Sequence, residues 1–306
     1  MREGELRVVR AGALTTVQDL GRPGHAALGV PRSGALDQPA HRLANRLVGN
    51  PPGAATLETT LTGVCVRTSR AAVFAVTGAP AAVRAEGRPA AWASAVHLPA
   101  GGTLEVGAPT SGLRSYVAVG GGVTPQPVLG SRSRDLLSGL GPPPLADGDT
   151  LPVGAPCGPP LHTDLAWCQA PPSELVLPVL LGPREDWFTS EALRTLASAG
   201  FSVSSRSNRI ALRTEGPPLE RAVRRELPSE AMVVGAVQVP TDGRPVVFLA
   251  DCPTTGGYPV IGVVPESGLA AAAQAVPGTA VRFVPTSRHR ARLLSSRSQR
   301  GACYPR

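Results

Sequence analysis

The sequence predicts an all-β protein with a few short helices, drawn as two β-barrel domains. Short Val-rich segments of four to eight residues, bounded by Gly or Pro, recur at close spacing along most of the chain, which is the rhythm of a sandwich or barrel. Gly (35) and Pro (33) together make up about 22% of the 306 residues, which marks a turn-rich chain just short of the level at which disorder becomes the default. The strand rhythm is broken once, by a Pro-rich stretch between residues 154 and 172, and then resumes.

Taken in order, the strand-like segments of the first half are residues 6–9, 64–68, 72–77, 82–85, 95–98, 103–106 and 113–119. Those of the second half are 175–181, 210–213, 233–239, 246–250, 260–264 and 280–284. The expected domains are therefore 1–155 and 173–288, followed by a basic tail over 289–306. Three segments have helical spacing instead. The clearest starts after Asp37, an N-cap residue, with Pro39 in the first turn, Ala40, Leu43, Ala44 and Leu47 on one face, and Gly49 as the stop. The others are 190–199, ending at Gly200, and 267–276, ending at Pro277 and Gly278.

Composition removes several functions at once. All 30 residues in the Lys+Arg count are arginine, so the chain has no lysine for a P-loop, for a Schiff base or for covalent attachment of biotin. A net charge of +8 and a pI of about 10.2 raise nucleic-acid binding. The arginines are scattered, however, dense only over 288–300, and stacking aromatics are few, so no nucleic-acid partner is expected. The five cysteines, Cys65, Cys157, Cys168, Cys252 and Cys303, include no C-x-x-C pair, and the histidines show no i, i+4 pairing. Neither a disulfide framework nor a metal centre is predicted. No signal peptide or membrane-spanning apolar run is visible, which makes the cytoplasm the expected compartment, with no membrane partner.

Two loop-rich regions carry the candidate chemistry. GRPG at 21–24 and GVPRSGALD at 29–37 specify particular backbone paths, since Gly takes positive φ without penalty and Pro fixes φ. Around them Gln18, Asp19, Arg22, Ser33, Asp37, Asn45, Asn50 and Glu58 concentrate polar groups among small residues, and Gly24 joins them as a candidate binding position. Asp37 serves either as a helix cap or as a catalytic acid/base, and Glu58, in LETTL, either as half of an ion pair or as a general base. Late in the chain TTGGYP at 254–259 reads as an anion-binding nest: Gly256 and Gly257 permit converging N–H groups, Thr254 and Thr255 add hydroxyls, and Tyr258 supplies a polar-tipped wall. The same string also reads as a tight turn. Asp251, at the end of VVFLAD, either acts with this loop or caps it.

These motifs together carry a resemblance. TTVQDLGRPG, GVPRSGALD, LANRLVGNP and LETTL, followed in order by YVAVGGGV (116–123), LGSRSRDLL (129–137), SNRIALRTEGPPL (207–219) and VQVPTDGRPVVFLADCPTTGGYP (237–259), resemble the allophanate hydrolase subunit 2 family. That family is also called the biotin-dependent carboxyltransferase family, and it includes the C subunit of 5-oxoprolinase. The resemblance implies two cyclophilin-like barrels, a partner resembling the kinase-inhibitor-like B subunit of 5-oxoprolinase, and a LamB/YcsF-like A subunit. It implies a small-molecule substrate, 5-oxo-L-proline, hydrolysed to L-glutamate with ATP and Mg²⁺. It also implies a site where the loop from Gln18 to Asp37 faces TTGGYP, with Arg22 as an electrostatic clamp, Thr254 to Tyr258 as the anion nest, and Asp37 or Glu58 as acid/base. Two other readings compete with this one: carboxyl transfer with a biotinylated partner, as in urea carboxylase, and regulatory sequestration of a histidine-kinase inhibitor.

Overall fold

The computed structural model describes residues 4–161 and 173–286. The basic tail expected over 289–306 lies outside the described residues, as do Cys168, Cys303, His162 and His289. The chain divides into two compact units, Met1–Gly24 with Arg32–Pro171, and His25–Pro31 with Pro172–Arg306. The fold is mostly β with three α-helices among the described residues, in keeping with the all-β expectation.

In the first unit the strands form two sheets around one core. One has six strands in the order Thr150–Val153, Gly4–Arg10, Cys65–Thr68, Thr103–Pro109, Ala81–Ala85, Arg88–Ala90. The other has five, in the order Leu14–Gln18, Thr56–Thr60, Arg114–Val119, Ala72–Gly78, Ala95–Leu98. Leu6, Val8, Val66 and Val106 of the first sheet pack against Val17, Leu57, Phe74 and Val117 of the second. Gly4–Arg10 alternates strictly between buried and exposed, as a sheet with one face in water should. Arg114–Val119 is buried at every position, because its sheet is covered on both faces.

Period-two alternation places very different residues on the two faces of the five-stranded sheet. Val17, Leu57, Val117 and Val76 turn to the core, and the paired positions between them bring Thr16, Glu58, Tyr116 and Thr77 into one row on the other face. Gln18 is paired with Thr56 beside that row. Leu14–Gln18 and Thr56–Thr60 escape a search for Val-rich segments because most of each strand is Thr, Glu or Gln.

Helix α1 (Gln38–Leu47) lies over this polar face. Asp37 caps it as expected, its Oδ1 accepting from the Ala40 amide at 3.1 Å. Small residues on the sheet, Ala75 and Ala118, pack against Ala44 and Leu47. The buried stripe is rotated from the predicted one: His41 and Asn45 are fully buried, whereas Ala40 and Leu43 are only partly so. The rotation follows from the partners the sheet offers. His41 Nδ1 lies 2.9 Å from Thr56 Oγ1, Asn45 Nδ2 donates to the Ala54 carbonyl at 2.7 Å, and Asn50 Nδ2 donates to Asn45 Oδ1 at 3.0 Å. Buried amides and imidazoles are tolerated only with such partners.

The second unit is a closed seven-stranded barrel in the order Glu174–Leu181, Val260–Val263, Ala236–Gln238, Val246–Phe248, Ala211–Glu215, Phe201–Val203, Ala280–Pro285. The ring closes by parallel pairing of its first and last strands in sequence, Leu175 opposite Val281 and Leu177 opposite Phe283. Phe201 and Phe283 meet edge to face with centroids 5.4 Å apart. Helices α2 (Ser190–Ser198) and α3 (Glu266–Gln274) match two of the three predicted helices, and Thr189 Oγ1 caps α2 by accepting from the Ala192 amide at 3.1 Å.

Two outcomes follow. In YVAVGGGV, Gly121 has φ +95°, and a Cβ there would stand 1.9 Å from the Gly154 carbonyl oxygen. Gly121→Ala is expected to lower stability by more than about 2 kcal/mol in urea denaturation, combining backbone strain with a main-chain clash. Burial lowers the His41 pKa from 6.5 to about 4. The unfolded chain therefore takes up a proton that the folded one refuses, so stability is full above pH 6.5 and falls as the pH drops towards 4. The loss attributable to His41 is about 3 kcal/mol, and His41→Asn should lower stability at pH 7 while flattening this part of the pH dependence.

Candidate functional site

Within the first unit the candidate residues divide into two hydrogen-bonded groups, both under or beside α1. The first centres on Glu58. Its Oε2 accepts from the Leu36 amide at 3.0 Å and from the Tyr116 hydroxyl at 2.8 Å, and Oε1 lies 3.8 Å from Arg114 Nε. The Tyr116 oxygen in turn accepts from the Asp37 amide at 2.7 Å. One carboxylate thus secures two successive amides at the end of GVPRSGALD, one directly and one through a phenol. Burial, with the Glu58 and Asp37 charges behind it, pushes the Tyr116 pKa well above its ordinary value, so the phenol keeps the proton it donates. His41 stands edge-on to the Tyr116 ring at 6.2 Å.

The second group centres on Asp19. Its Oδ1 accepts from the Gly21 amide at 2.7 Å, Ser131 Oγ at 2.6 Å and Ser133 Oγ at 2.5 Å, and its Oδ2 accepts from the Arg132 amide at 2.6 Å. Asp19 therefore knits GRPG to LGSRSRDLL. Arg22 is buried, with Nε donating to the Val128 carbonyl at 3.3 Å and another guanidinium nitrogen to the Ser133 carbonyl. It braces the same turn, so the expected clamp on a bound anion is a guanidinium already held by main-chain oxygens. Ser33 takes φ +54° and donates to the Arg134 carbonyl at 3.1 Å. Gln18 donates to that carbonyl as well, at 2.9 Å. Gly24 has φ +92° and open space where a Cβ would be.

Within the second unit, Asp251 forms a bidentate pair with Arg209, at 2.9 Å from Nε to Oδ2 and 3.1 Å from a terminal nitrogen to Oδ1, both side chains fully buried. It joins SNRIALR to the strand that leads into TTGGYP. That loop is not the nest expected from its glycines. Neither Gly256 nor Gly257 takes a left-handed φ, and Thr255–Gly256 pairs as a short strand with Glu230–Ala231. A Cβ at Gly256 would lie 2.7 Å from Gln238 Nε2, so the Gln238 side chain would have to shift. The same amide nitrogen donates to the Tyr258 carbonyl at 3.0 Å. Thr255, Gly257 and Tyr258 remain exposed, and the Arg221 guanidinium stacks on the Tyr258 ring at 5.6 Å.

Sequence reasoning missed Tyr116, His41, Arg114, Ser131, Ser133, Arg209 and Arg221 as members of these groups. For Tyr116 a signal existed. In YVAV the alternate residues Tyr116 and Ala118 had to share a face, and a tyrosine on the covered face of a central strand needs a partner for its hydroxyl.

With this geometry in view, comparison with known proteins places the chain. The model of the carboxyltransferase domain, subdomains A and B, matches residues 28–285. The chain is 38% identical over 290 residues to the C subunit of 5-oxoprolinase from Escherichia coli (strain K12), covering 92% of this chain and 91% of that protein. It is 33% identical over 315 residues to urea amidolyase of Lachancea kluyveri, covering 94% of this chain but 17% of that protein. The crystal structure of the K. lactis urea amidolyase matches it with a TM-score of 0.89 at 29% identity, over 97% of this chain and 20% of that one. The chain thus spans about a fifth or less of the urea amidolyases and nearly the whole of the bacterial protein. It belongs to the carboxyltransferase-domain family, subdomains A and B.

Proposed function

We propose that this chain is the C subunit of an ATP-dependent 5-oxoprolinase, which opens 5-oxo-L-proline to L-glutamate and is inactive without its partners. The observation that carries this reading is the match to the E. coli 5-oxoprolinase C subunit, which runs through nearly all of both proteins. The partners are a kinase-inhibitor-like protein in the place of the B subunit and a LamB/YcsF-like protein in the place of the A subunit. A lactam carbonyl resists water because amide resonance makes it a poor electrophile. Transfer of the γ-phosphoryl group from ATP, as its Mg²⁺ complex, to the lactam oxygen would remove that resonance; water would then add to the carbon and the ring C–N bond break to leave an acyl phosphate, which a second water would hydrolyse to the carboxylate and phosphate. On a lysine-free chain, arginines and backbone amides supply the positive partners for the charge that develops.

The residues divide by accessibility. Thr254, Thr255 and Tyr258 are the candidates to meet substrate, since the TTGGYP segment is partly open to solvent. Glu58 is engaged on both oxygens inside the fold, so its role in this reading is positional, and Asp37 is the acid/base candidate whose backbone it holds. A second reading, carboxyl transfer, draws on the urea amidolyase matches. Biotin would then arrive on a partner chain, since no lysine is present here to carry it.

The deciding assay is release of ADP and glutamate from 5-oxoproline and ATP by this chain, by the partner proteins, and by the mixture. Turnover is expected only in the mixture. Silence with 5-oxoproline from a stable complex, together with a response to urea and a biotin-carrier protein, would replace this reading with carboxyl transfer. In the active mixture Tyr116→Phe should lower kcat about 10- to 100-fold with little change in KM, because the Asp37 amide loses its acceptor and the loop end is misplaced. Its cost in stability should be about 1–3 kcal/mol, since both buried hydrogen bonds of the hydroxyl are lost and the Asp37 amide is left unsatisfied.

A further inference from the structure

The second unit carries a groove of about 600 Å³ beside α2, lined by Thr189, Glu191, Glu220, Arg221, Arg224 and Asp242 among others. Its named charges other than Arg221 are engaged within the protein, by ion pairs or, for Asp242, by a main-chain amide. Glu220 pairs with Arg224 at 3.8 Å, Glu191 with Arg194 at 2.5 Å, and Asp242 Oδ1 accepts from the Arg244 amide at 3.1 Å. Arg221 is the exception. It is half-buried, donates one terminal nitrogen to the Val239 carbonyl, and lies over the face of Tyr258, yet makes no ion pair with a described carboxylate. Desolvation lowers its pKa from the usual guanidinium value, a sign that the cation is losing hydration without a counter-charge to replace it.

A guanidinium held in this way has a fixed orientation and uncommitted N–H donors. The stack on Tyr258 offsets part of the lost hydration but leaves the in-plane donors open, since a cation over a ring interacts through the ring face. Planar, paired acceptors fit those donors best, and a carboxylate presents two oxygens at matching spacing. Tyr258 belongs to the exposed end of TTGGYP, so the unmatched cation and the motif tyrosine meet at one place.

We propose that Arg221 binds the carboxylate of a small ligand in this groove, with Tyr258 holding the guanidinium in place. For 5-oxo-L-proline the group bound is the ring carboxylate; that identification, unlike the site itself, rests on the function proposed above. It gives the groove a reason to prefer a carboxylated lactam over a bare one.

The test is calorimetric titration of the full chain with 5-oxo-L-proline, glutarate, 2-pyrrolidinone and inorganic phosphate. The two carboxylates should bind, and 2-pyrrolidinone, the same lactam without its carboxylate, at least about tenfold more weakly. Arg221→Gln should bring 5-oxoproline down to the level of pyrrolidinone, Arg221→Lys should retain part of the affinity by charge alone, and Arg84→Gln, exposed on a strand outside the groove, should bind as wild type. Carboxylate binding that survives Arg221→Gln, or a wild-type chain that binds neither carboxylate, overturns the site. Phosphate binding tighter than both carboxylates overturns the ligand class. Glutarate binding that depends on Arg221, with 5-oxoproline ignored, keeps the site and removes the oxoprolinase reading. Should Arg221→Gln fail to fold, Arg221→Lys and the wild-type preference over pyrrolidinone still decide.

Discussion

The hydrogen bond from Tyr116 to Glu58 is the constraint around which the first unit is organised. It joins neighbouring positions of two paired strands on a face of the sheet that water does not reach. A carboxylate there is costly unless its oxygens are filled, and the sheet alone cannot fill them. The remaining donors come from Arg114 and from the Leu36 amide, while the phenol takes the Asp37 amide. The chain entering α1 is thereby drawn down onto the sheet at two consecutive residues. Asp37 is then placed to cap the helix, and the helix covers the polar row that required covering. Each step supplies a partner demanded by the one before.

The same device recurs. Asp19 gathers GRPG and the serines of LGSRSRDLL, and Asp251 gathers the turn at Arg209 and the approach to TTGGYP. In all three cases a buried carboxylate joins segments far apart in sequence. Removing one partner of such a group leaves an uncompensated charge or acceptor, which costs far more than the interaction is worth against an apolar pair. The arrangement favours one loop geometry over others, which is what a site built on loops requires, because productive placement tolerates only small displacements.

How much of this is legible in the sequence depends on whether a residue acts locally. The Asp37 cap, the three helices and most strands follow from local spacing and turn chemistry, and the structure contains them. Leu14–Gln18 and Thr56–Thr60 are obscured because their polar side chains face a helix rather than water, so alternation resembles loop composition. The carboxylates stay open between structural and chemical roles because a lone Asp or Glu among small residues gives no sign of its partner. Apart from the neighbouring Gly21 amide, those of Asp19 lie more than 110 residues away, and that of Asp251 lies 42 away. Likewise the glycines of TTGGYP announce a backbone special that the structure does not use: Gly256 makes room for Gln238 instead.

Absence of lysine shapes the electrostatics as much as the chemistry. Every cation that the fold buries is a guanidinium, which does not lose its proton in the accessible pH range and brings planar, divergent donors. Arg22, Arg114 and Arg209 can therefore be enclosed against carbonyls and carboxylates without becoming titratable. Of the described histidines only His41 is buried, and its pKa, lowered to about 4, keeps it neutral at physiological pH. The interior charge pattern is thus nearly fixed above the carboxylate range. A scaffold of this kind suits chemistry in which charge is moved by substrate and phosphate rather than by a protein amine. Tyr258 and the Arg221 guanidinium stacked on it meet where the described structure is open, so the one cation not committed to a described carboxylate in its groove stands where a charged ligand reaches it.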